Sequence, residues 1–374
     1  MSLRVGINAR HLSLPEMRGV NRYTLNLLRE LSRTGEVELI LFTDRSVHSM
    51  FHGHFPFEEV CFTSAREVIW EQWDLPRRLR DAKIDIFHAP SNRGLPWLRA
   101  CRYVLTIHDI IENIPSLLPA RPIKSRLRQT YADFASVRRA HAILTVSEHS
   151  KRDICRHWRL APDRVVVTYE GCDRRFYERV TAEAIDGVCH RLGLPSRYLL
   201  YLGGFDRKKN VNGLLRGYAL TSRAEVPDLV LAGEKKWEFA ATESLALELN
   251  CGERVLFPGV MPDCDLPALY QGALAFIYPS LYEGFGLQLV EAMASGVPVV
   301  ASNRTSVPEV LGGAGLLFDP EKPEEIAERL RQVSLDAALR ERLRRAGAAR
   351  AAEFSWSRTA RETLAVYHRV LGHG

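Results

Sequence analysis

The segment PSLYEGFGLQLVEAMASGVPVVAS, residues 279–302, contains the pattern that decides the fold. An apolar run that ends near Tyr278 leads into a glycine-containing loop at 283–286, a helical stretch follows at 287–295, and a second apolar run covers 298–301. A glycine and a proline directly after the helical stretch are typical of the end of a helix. The order of strand, glycine loop, helix and strand predicts a βαβ unit of a parallel sheet.

The same alternation extends over the whole chain in two series of short apolar runs. The first series lies at 3–7, 37–42, 84–87, 103–107 and 142–146, and the second at 198–202, 228–231, 254–257, 275–278, 298–301 and 315–318. The polar segment 178–197 separates the two series. The chain is therefore predicted to be an α/β protein of two Rossmann-like, doubly wound parallel-sheet domains, residues 1–180 and 181–355, that face each other across a cleft.

The composition is that of an ordinary globular protein. Of the 374 residues, 46% are hydrophobic and 26% are charged, which argues against a largely disordered chain. No run approaches the roughly 18 apolar residues of a membrane-spanning helix, and the first residues lack the features of a signal peptide, so we expect a cytoplasmic protein. The seven cysteines are scattered singly without CxxC spacing, which indicates reduced thiols rather than a zinc site or disulfides.

Positive charge is concentrated in the first half of the chain. Residues 1–180 contain 29 Lys and Arg against 21 Asp and Glu, a net charge of +8, whereas the remainder carries −2. This asymmetry indicates an anionic partner such as a membrane surface, a phosphorylated lipid or nucleic acid, or else a solvated surface without a specific role. In the basic stretch 121–128, Lys124, Arg126 and Arg128 are candidates to face a lipid diphosphate or an anionic bilayer.

The loop and helix after Tyr278 contain two carboxylates among glycines. Glu283 lies in the loop, and Glu291 lies just over one turn into the helix, beside apolar residues. Glycines in such a loop let backbone N–H groups point at an anion next to the positive end of a helix. A buried carboxylate needs a partner, and ribose hydroxyls are a natural partner for Glu291; the alternative is a structural Glu that caps a nearby loop.

Glu283 and Glu291, with seven residues between them, resemble the E-x7-E signature of the retaining GT-B glycosyltransferases of family 4. The segment EGFGLQLVEAMASGVPVVAS is similar to that family almost position by position, and the resemblance covers essentially the whole chain. It implies a GT-B fold in which helix 356–374 packs back on the first domain. It also implies that Glu283 contacts the donor sugar near the reacting face and that Glu291 binds the ribose of the nucleotide.

The resemblance implies further donor-binding groups in the second domain. They are the loop and helix residues Gly284, Phe285, Gly286 and Leu287, and the backbone of Val260 and Met261, which is expected near the base.

A basic loop forms a second motif, YLGGFDRKKNVNGLL, at residues 201–215. Basic groups between a strand and a helix can neutralise a diphosphate leaving group, although a solvated turn has the same composition. Lys209 matches the phosphate-binding lysine of the family. The other cation of the family is replaced here by Gly204, and Arg207 or Lys208 is expected to substitute for it.

Two motifs of the first domain complete the candidate site. His108 and Asp109 in VLTIHDIIENIP, residues 104–115, directly follow a predicted strand. The resemblance implies that His108 lies near the donor sugar and supports catalysis, whereas Asp109 is either an acceptor base or a residue that caps the turn. Gly19, after the first strand, would let the backbone approach a phosphate at a helix N-terminus.

Asp263 and Asp265 spell D-x-D, a metal–nucleotide signature of a different glycosyltransferase fold. Here they precede a helical start at 266–270, where an Asp at the N-cap would account for them without metal. Lysine and helix-dipole charge on the diphosphate make a divalent ion unnecessary. We therefore expect no metal and no other cofactor.

The sequence thus predicts a retaining, metal-independent hexosyltransferase that moves a sugar from a nucleotide-sugar donor to a glycan or lipid-linked acceptor. The chain resembles bacterial enzymes of surface polysaccharide and lipopolysaccharide synthesis, for which GDP-mannose is the expected donor. Lys209, Glu283 and His108 are the expected catalytic residues, and peripheral contact with the inner face of the cell membrane is expected. Other interpretations are a nucleotide-sugar epimerase and a non-catalytic nucleotide-sugar-binding subunit; no recognisable module supports nucleic-acid binding.

Overall fold

In the computed structural model the chain divides into two compact units, each built on one parallel sheet. The structure describes residues 2–14, 19–117, 123–236 and 238–372, apart from the side chains of residues 115 and 123–128. The first unit comprises Met1–Pro115, Pro119–Gly171 and Ser355–Gly374, and the second consists mainly of Cys172–Phe354. The polypeptide therefore leaves the first unit at Gly171 and returns to it at Ser355.

The first unit contains seven parallel strands. They are β1 (Leu3–Asn8), β2 (Val37–Thr43), β3 (Glu58–Cys61), β4 (Ile86–Ala89), β5 (Arg102–Ile107), β6 (Ala142–Thr145) and β7 (Val165–Val167). Their order in the sheet is β3-β2-β1-β4-β5-β6-β7. Five of them lie at the predicted apolar runs. The two that the pattern missed, β3 and β7, are the edges of the sheet, where side chains stay partly exposed and a continuous apolar run is not needed.

The connecting helices of this unit follow the expected alternation. They are α1 (Gly19–Arg33), α2 (Glu67–Ile69), α3 (Leu75–Asp81), α4 (Ile123–Arg139) and α5 (Glu148–Trp158). A π-helical turn at Trp70–Asp74 joins α2 to α3. In α1, Tyr23, Leu27 and Leu31 recur every fourth residue and are fully buried, so they form the stripe that packs this helix into the unit.

The second unit contains six parallel strands, all at predicted apolar runs. They are β8 (Tyr198–Leu202), β9 (Asp228–Ala232), β10 (Val255–Gly259), β11 (Ala275–Tyr278), β12 (Val299–Ser302) and β13 (Gly315–Phe318). Their order is β10-β9-β8-β11-β12-β13. The prediction of two doubly wound parallel sheets is confirmed.

Eight helices of the second unit connect and follow these strands within the described residues. They are α6 (Ala182–Leu192), α7 (Val211–Ala219), α8 (Phe239–Glu248), α9 (Leu266–Gly272), α10 (Leu287–Ala294), α11 (Val307–Leu311), α12 (Pro323–Leu335) and α13 (Ala337–Ala351). Leu214 of α7, Leu231 of β9 and Leu330 of α12 are fully buried in one apolar cluster, which ties the helices to the sheet.

The last helix, α14 (Trp356–Leu371), belongs to the first unit and packs against α1. Its Tyr367 hydroxyl lies 2.7 Å from Nδ1 of His88 in β4, and both side chains are fully buried. A buried polar pair of this kind fixes one docking position of the helix, because any other position leaves a buried group without its hydrogen bond.

The strand order of each sheet reverses at one place, between β1 and β4 in the first unit and between β8 and β11 in the second. In open parallel sheets the loops at the carboxyl ends of the strands diverge there, which leaves a crevice for a ligand. The loops after β8 and β11 are those that carry the basic motif and the first carboxylate of the E-x7-E motif.

Candidate active site

An ion pair joins two loops at the switch point of the second unit. Lys209 follows β8 and Glu283 follows β11, and the Lys209 Nζ atom lies 2.7 Å from Glu283 Oε1. Only 12% and 11% of these side chains are exposed. Nζ also lies 3.5 Å from the hydroxyl oxygen of Tyr278 and 5.4 Å from the centre of its ring. Two residues predicted from separate motifs therefore meet in one place.

Both members of this pair are charged at neutral pH. Burial by itself would raise the pKa of Glu283 and lower that of Lys209, because a buried charge loses its hydration. Their attraction outweighs burial: Lys209, together with Lys208, lowers the pKa of Glu283, and Glu283 raises the pKa of Lys209. An ammonium group and a carboxylate suit the two parts of a sugar diphosphate, the phosphate oxygens and the sugar hydroxyls.

Hydroxyl side chains after β12 hold the backbone of the Glu283 loop. The Glu283 N–H donates to the Thr305 hydroxyl oxygen at 3.1 Å. Ser306, which is fully buried, has its hydroxyl 3.0 Å from the carbonyl oxygens of both Glu283 and Phe285. These contacts fix the loop from the side of the neighbouring strand.

Gly286 turns this loop into α10. Its φ of +100° lies in the left-handed region, and a Cβ there would lie 2.9 Å from Leu289 Cδ1, so the position favours glycine. Gly284 is buried like its neighbours in the loop, whereas Leu287, the first residue of α10, is half-buried. The loop backbone therefore lies at the positive end of a helix.

Glu291 is buried in the second turn of α10, with 2% of its surface exposed. The Tyr270 hydroxyl of α9 donates a hydrogen bond to Glu291 Oε2 at 3.1 Å. Tyr270 is therefore the polar partner that this buried carboxylate was expected to need. The contact between Glu291 and ribose stays a prediction.

The two candidates for the second cation occupy different surroundings. Lys208 lowers the pKa of Glu283, and its carbonyl oxygen accepts from the N–H of Leu281 in the facing loop at 2.7 Å. Arg207 is exposed and lines a separate depression beside Asn210 at the start of α7. Lys208 is therefore the one that adds positive charge beside the ion pair.

Val260 and Met261 follow Gly259, the last residue of β10. Val260 has 67% of its surface exposed, and Met261 is buried with 8% exposed. An exposed apolar side chain at the carboxyl edge of the sheet offers a surface to a flat base, but this contact stays a prediction.

In the first unit, His108 lies after β5 and is almost buried. Its Nε2 atom lies 3.0 Å from the Pro90 carbonyl oxygen, and its Nδ1 atom lies 3.4 Å from Oε1 of Glu170. Burial would lower the pKa of His108, but the Glu170 carboxylate outweighs it and raises the pKa above the ordinary value. The Glu170 carboxylate therefore favours the protonated form of this ring.

Asp109 and Gly19 occupy simpler positions. Asp109 Oδ1 accepts from the N–H of Ile111 at 3.0 Å, so this carboxylate caps the turn after β5. Gly19 begins α1, is exposed, and has no neighbouring atom within 4 Å of a Cβ position, so nothing in the unit itself requires glycine there. The side chains of the basic stretch 121–128 lie outside the described residues.

The aspartates of the D-x-D sequence both pair with arginines. Asp263 Oδ2 lies 2.5 Å from a guanidinium nitrogen of Arg175, and Asp265 Oδ2 lies 2.8 Å from one of Arg191. Asp265 stands at the N-cap of α9 but its side chain makes no capping hydrogen bond, so the expected reason for these aspartates is wrong. In the part of the chain that the structure describes, no three His, Cys, Asp or Glu side chains are grouped to hold a metal ion.

Four residues near these groups received no role from the sequence. They are Glu170, which pairs with His108, Tyr270, which binds Glu291, Tyr278, which contacts Lys209, and Ser306, which holds the Glu283 loop. Tyr278 could have been found as the last residue of the strand before the motif. The turn that begins at Glu170 is similar to a turn of the family, but this similarity gives the Glu170 side chain no role.

Comparison with known proteins assigns the chain to a family. A family model described as Glycosyl transferases group 1 matches residues 190–350, and one described as Glycosyltransferase Family 4 matches residues 17–176. The O-antigen chain mannosyltransferase B of Escherichia coli is 35% identical over 378 residues, which cover 93% of this chain and 95% of that protein. The two doubly wound units, together with these matches, identify the chain as a glycosyltransferase of the GT-B fold. The chain belongs to the glycosyltransferases of family 4.

Two further similarities support the assignment. The serotype-specific mannosyltransferase WbdA of Escherichia coli is 30% identical over 289 residues; the match covers 74% of this chain, but only 34% of WbdA. The crystal structure of HepE from Anabaena in complex with UDP and glucose has a TM-score of 0.76 at 17% identity and covers 97% of this chain and 99% of that one. At this identity the likeness to HepE shows the fold alone.

Proposed function

We propose that the protein is a retaining mannosyltransferase that moves mannose from GDP-mannose to a glycan or lipid-linked glycan during synthesis of a surface polysaccharide such as O-antigen. The observation that carries this proposal is the buried ion pair of Lys209 and Glu283 at the switch point of the second sheet. The choice of mannose is supported by the names of the two mannosyltransferase relatives.

Each charged group contacts a different part of the donor. Lys209, with Lys208 beside it, neutralises the diphosphate as it leaves, and the N–H groups at the start of α10 add to this. Glu283 accepts hydrogen bonds from the sugar hydroxyls and orients the sugar. Glu291 holds the ribose of the nucleotide, and His108 supports the transfer step.

Retention follows from the diphosphate itself acting as the base. The bond between the sugar C1 and the phosphate oxygen breaks, and the acceptor oxygen forms its bond to C1 from the same face. The acceptor proton passes to the departing phosphate oxygen, so no enzymic nucleophile is needed. Lys209 holds the diphosphate on that face during the exchange.

The ion pair also sets a condition for donor binding. A diphosphate that reaches Lys209 competes with Glu283 for the same ammonium group. Glu283, buried and charged, then needs new hydrogen-bond donors, and the hydroxyls of the sugar supply them. The pair thereby couples recognition of the diphosphate to recognition of the sugar.

The test is a panel of radiolabelled nucleotide sugars incubated with lipid-linked glycan acceptors, with products separated and their anomeric configuration read by NMR. We expect mannose to be transferred from GDP-mannose with retention, and transfer to be greatly reduced in Glu283→Ala. Isomerised donor without transfer would indicate an epimerase. Binding of the donor without either reaction would indicate a non-catalytic subunit. Inverted product, or full activity of Glu283→Ala, would contradict the mechanism.

We further propose that the enzyme acts at the inner face of the cell membrane, where the first unit contacts anionic lipid. No helix among the described residues is long and apolar enough to cross a bilayer, so the proposed contact is with the surface. Seven large apolar side chains in three segments of this unit are exposed; we call them the aromatic surface, and they are Val68, Ile69, Trp73, Trp97, Leu98, Tyr131 and Phe134.

Contacts link Trp97 to the segment of Trp73 and to the last residue of α4, the helix that carries Tyr131 and Phe134. The N–H of Trp97 donates to Gln72 at 2.6 Å, and the guanidinium of Arg139 lies 4.0 Å from the Trp97 ring centre. Exposed arginines lie within a few residues of these side chains in the sequence, at positions 66, 77, 80, 99 and 138, and the guanidinium of Arg138 lies 5.1 Å from the ring centre of Phe134. Tryptophan and tyrosine with arginine are the side chains that favour the interface of an anionic membrane.

Vesicle sedimentation tests this contact. We expect binding to phosphatidylglycerol vesicles and little binding to phosphatidylcholine, because each arginine near an anionic surface contributes about 1 kcal/mol. Changing Trp73 and Trp97 together to serine should weaken binding at least about tenfold, since each ring would leave the interface. The matched control is Leu247→Ser with Leu335→Ser, two apolar residues of the second unit that are at least about as exposed as the two tryptophans. Equal losses in both double variants would contradict the proposed surface.

A further inference from the structure

A second buried ion pair, in the first unit, surrounds the ring of His108 with acceptors. Nδ1 faces Glu170 at 3.4 Å and Nε2 faces the Pro90 carbonyl oxygen at 3.0 Å. A neutral imidazole donates from only one of its nitrogens, so both acceptors are satisfied only when the ring is protonated. With 13% of the His108 side chain and 9% of that of Glu170 exposed, water is a poor substitute for either contact.

Among the described residues, two further histidines and one aspartate interact electrostatically with this ring. His11, after β1, is partly buried, and His88, in β4, is fully buried. Burial, followed by the charge of His108, lowers their pKa values to about 4 and about 3. Asp109, the next residue, acts in the same direction as Glu170 and raises the pKa of His108. Of the three histidines, His108 is therefore the one whose protonated form is favoured.

Tyr23 of α1 completes the surroundings. Its ring packs edge-on against that of His108, with 4.7 Å between the ring centres, and against the ring of Trp356 at 6.0 Å. Burial raises the pKa of Tyr23, so its hydroxyl stays neutral. The first turn of α14 thus reaches the His108 ring through one intervening side chain.

The same turn of α14 holds the residues on both sides of Glu170. The Thr359 hydroxyl donates to the Tyr169 carbonyl oxygen at 2.6 Å. On the other side, Gly171 packs so closely that a Cβ would lie 2.1 Å from the backbone nitrogen of Trp356. Glu170 is therefore fixed between two contacts with one helix.

We propose that Glu170 is a positioning residue for His108: it holds the ring as a doubly hydrogen-bonded cation, and the first turn of α14 holds Glu170 in place. With both nitrogens engaged, His108 is a fixed positive charge rather than a proton acceptor. A part for the His108 charge in sugar transfer rests on the proposed function. The positioning of His108 by Glu170 does not, because it depends only on contacts within the first unit.

NMR titration of the His108 ring in the full chain tests the positioning without any substrate. We expect the wild-type ring to titrate above the ordinary histidine value of 6.5. In Glu170→Gln the midpoint should fall by about one pH unit or more, because the opposite charge within ion-pair distance is gone. Glu170→Asp keeps the charge and should recover part of the shift. An unchanged midpoint in Glu170→Gln would overturn the proposal.

The control is another histidine–carboxylate pair in the same unit, His149 and Asp153, whose Nε2 and Oδ2 atoms are 3.1 Å apart. Asp153→Asn should leave the His108 midpoint unchanged. Thr359→Val, which removes one contact of α14, should lower the midpoint by a smaller amount than Glu170→Gln. If Thr359→Val leaves it unchanged, the part assigned to α14 is wrong.

Enzyme kinetics separate this inference from the proposed function. If His108 supports transfer as a cation, the alkaline fall of kcat in Glu170→Gln should move to lower pH by the same amount as the NMR midpoint, with KM for the donor little changed. A displaced midpoint with an unchanged kcat profile would support Glu170 as the positioning residue of His108 but remove His108 from the proposed transfer step.

Discussion

Replacing Lys209 by methionine should destabilise the second unit by about 3–5 kcal/mol, because the Glu283 carboxylate stays buried without its counter-ion. The 2.7 Å separation corresponds to an attraction of about 6 kcal/mol at an effective dielectric constant of about 20. Most of this attraction offsets the free-energy cost of removing the two charges from water. The loss on breaking the pair is therefore large even though the net gain from forming it is small.

A double-mutant cycle in urea measures this directly. Glu283→Gln should cost less than Lys209→Met, about 1–2 kcal/mol, because the amide oxygen still accepts from the ammonium group. In the double variant neither charge remains, so its free energy of unfolding should exceed the value expected from adding the two single losses by about 2 kcal/mol.

The matched control is an exposed pair of the same unit, Lys322 and Glu325, whose charged atoms are 2.9 Å apart. Lys322→Met should leave the free energy of unfolding unchanged within error, because water solvates the remaining carboxylate. If the losses for Lys209→Met and Glu283→Gln simply add, or if Lys322→Met costs as much as Lys209→Met, the account of a buried, mutually dependent pair is refuted.

Four further outcomes are expected. Glu291→Gln should raise the Kd for GDP-mannose and for GDP about tenfold or more in calorimetry, since a charged hydrogen-bond acceptor is lost; an unchanged Kd would contradict its contact with the nucleotide. Gly286→Ala should cost about 1–3 kcal/mol in urea unfolding and reduce kcat, because its φ of +100° strains any other residue. The stability that Glu283 contributes should be constant above about pH 4.5, its ordinary pKa, and be lost as the pH falls through its lowered value; Lys209→Met should remove this dependence. Transfer should continue at the same rate after EDTA treatment, since lysine takes the place of a divalent ion; loss of activity that Mg²⁺ restores would contradict this.

The central strands could be predicted because they are buried on both faces and so consist of continuous apolar runs. The edge strand Glu58–Cys61 is exposed at both ends and has no fully buried residue, and the apolar run Val165–Val167 is only three residues long. Packing in the interior requires a run of apolar residues, which can be recognised in the sequence. Pairing at the edge of a sheet depends on backbone hydrogen bonds, which many sequences can make.

The same distinction applies to the candidate site. The two loops could be predicted because each follows a strong strand and contains glycine, and parallel strands bring such loops together. Lys209 and Glu283 were singled out within these loops by the resemblance to the family. The choice between Arg207 and Lys208 could not be made, because neighbouring residues in a short turn point in different directions. Glu170 depends on Thr359, a residue 189 positions later in the sequence, and no local pattern carries that information.

The hydrogen bond between His88 and Tyr367 joins residues 279 positions apart. The first unit therefore cannot complete its interior while the ribosome is still translating the second, because Tyr367, the hydrogen-bond partner of the buried His88 ring, has not yet been synthesised. Domains usually fold in order as they emerge. Here the first unit stays unfinished until α14 has left the exit tunnel, so a chain that stops before α14 would lack part of the first unit even though the residues of the second had all been made.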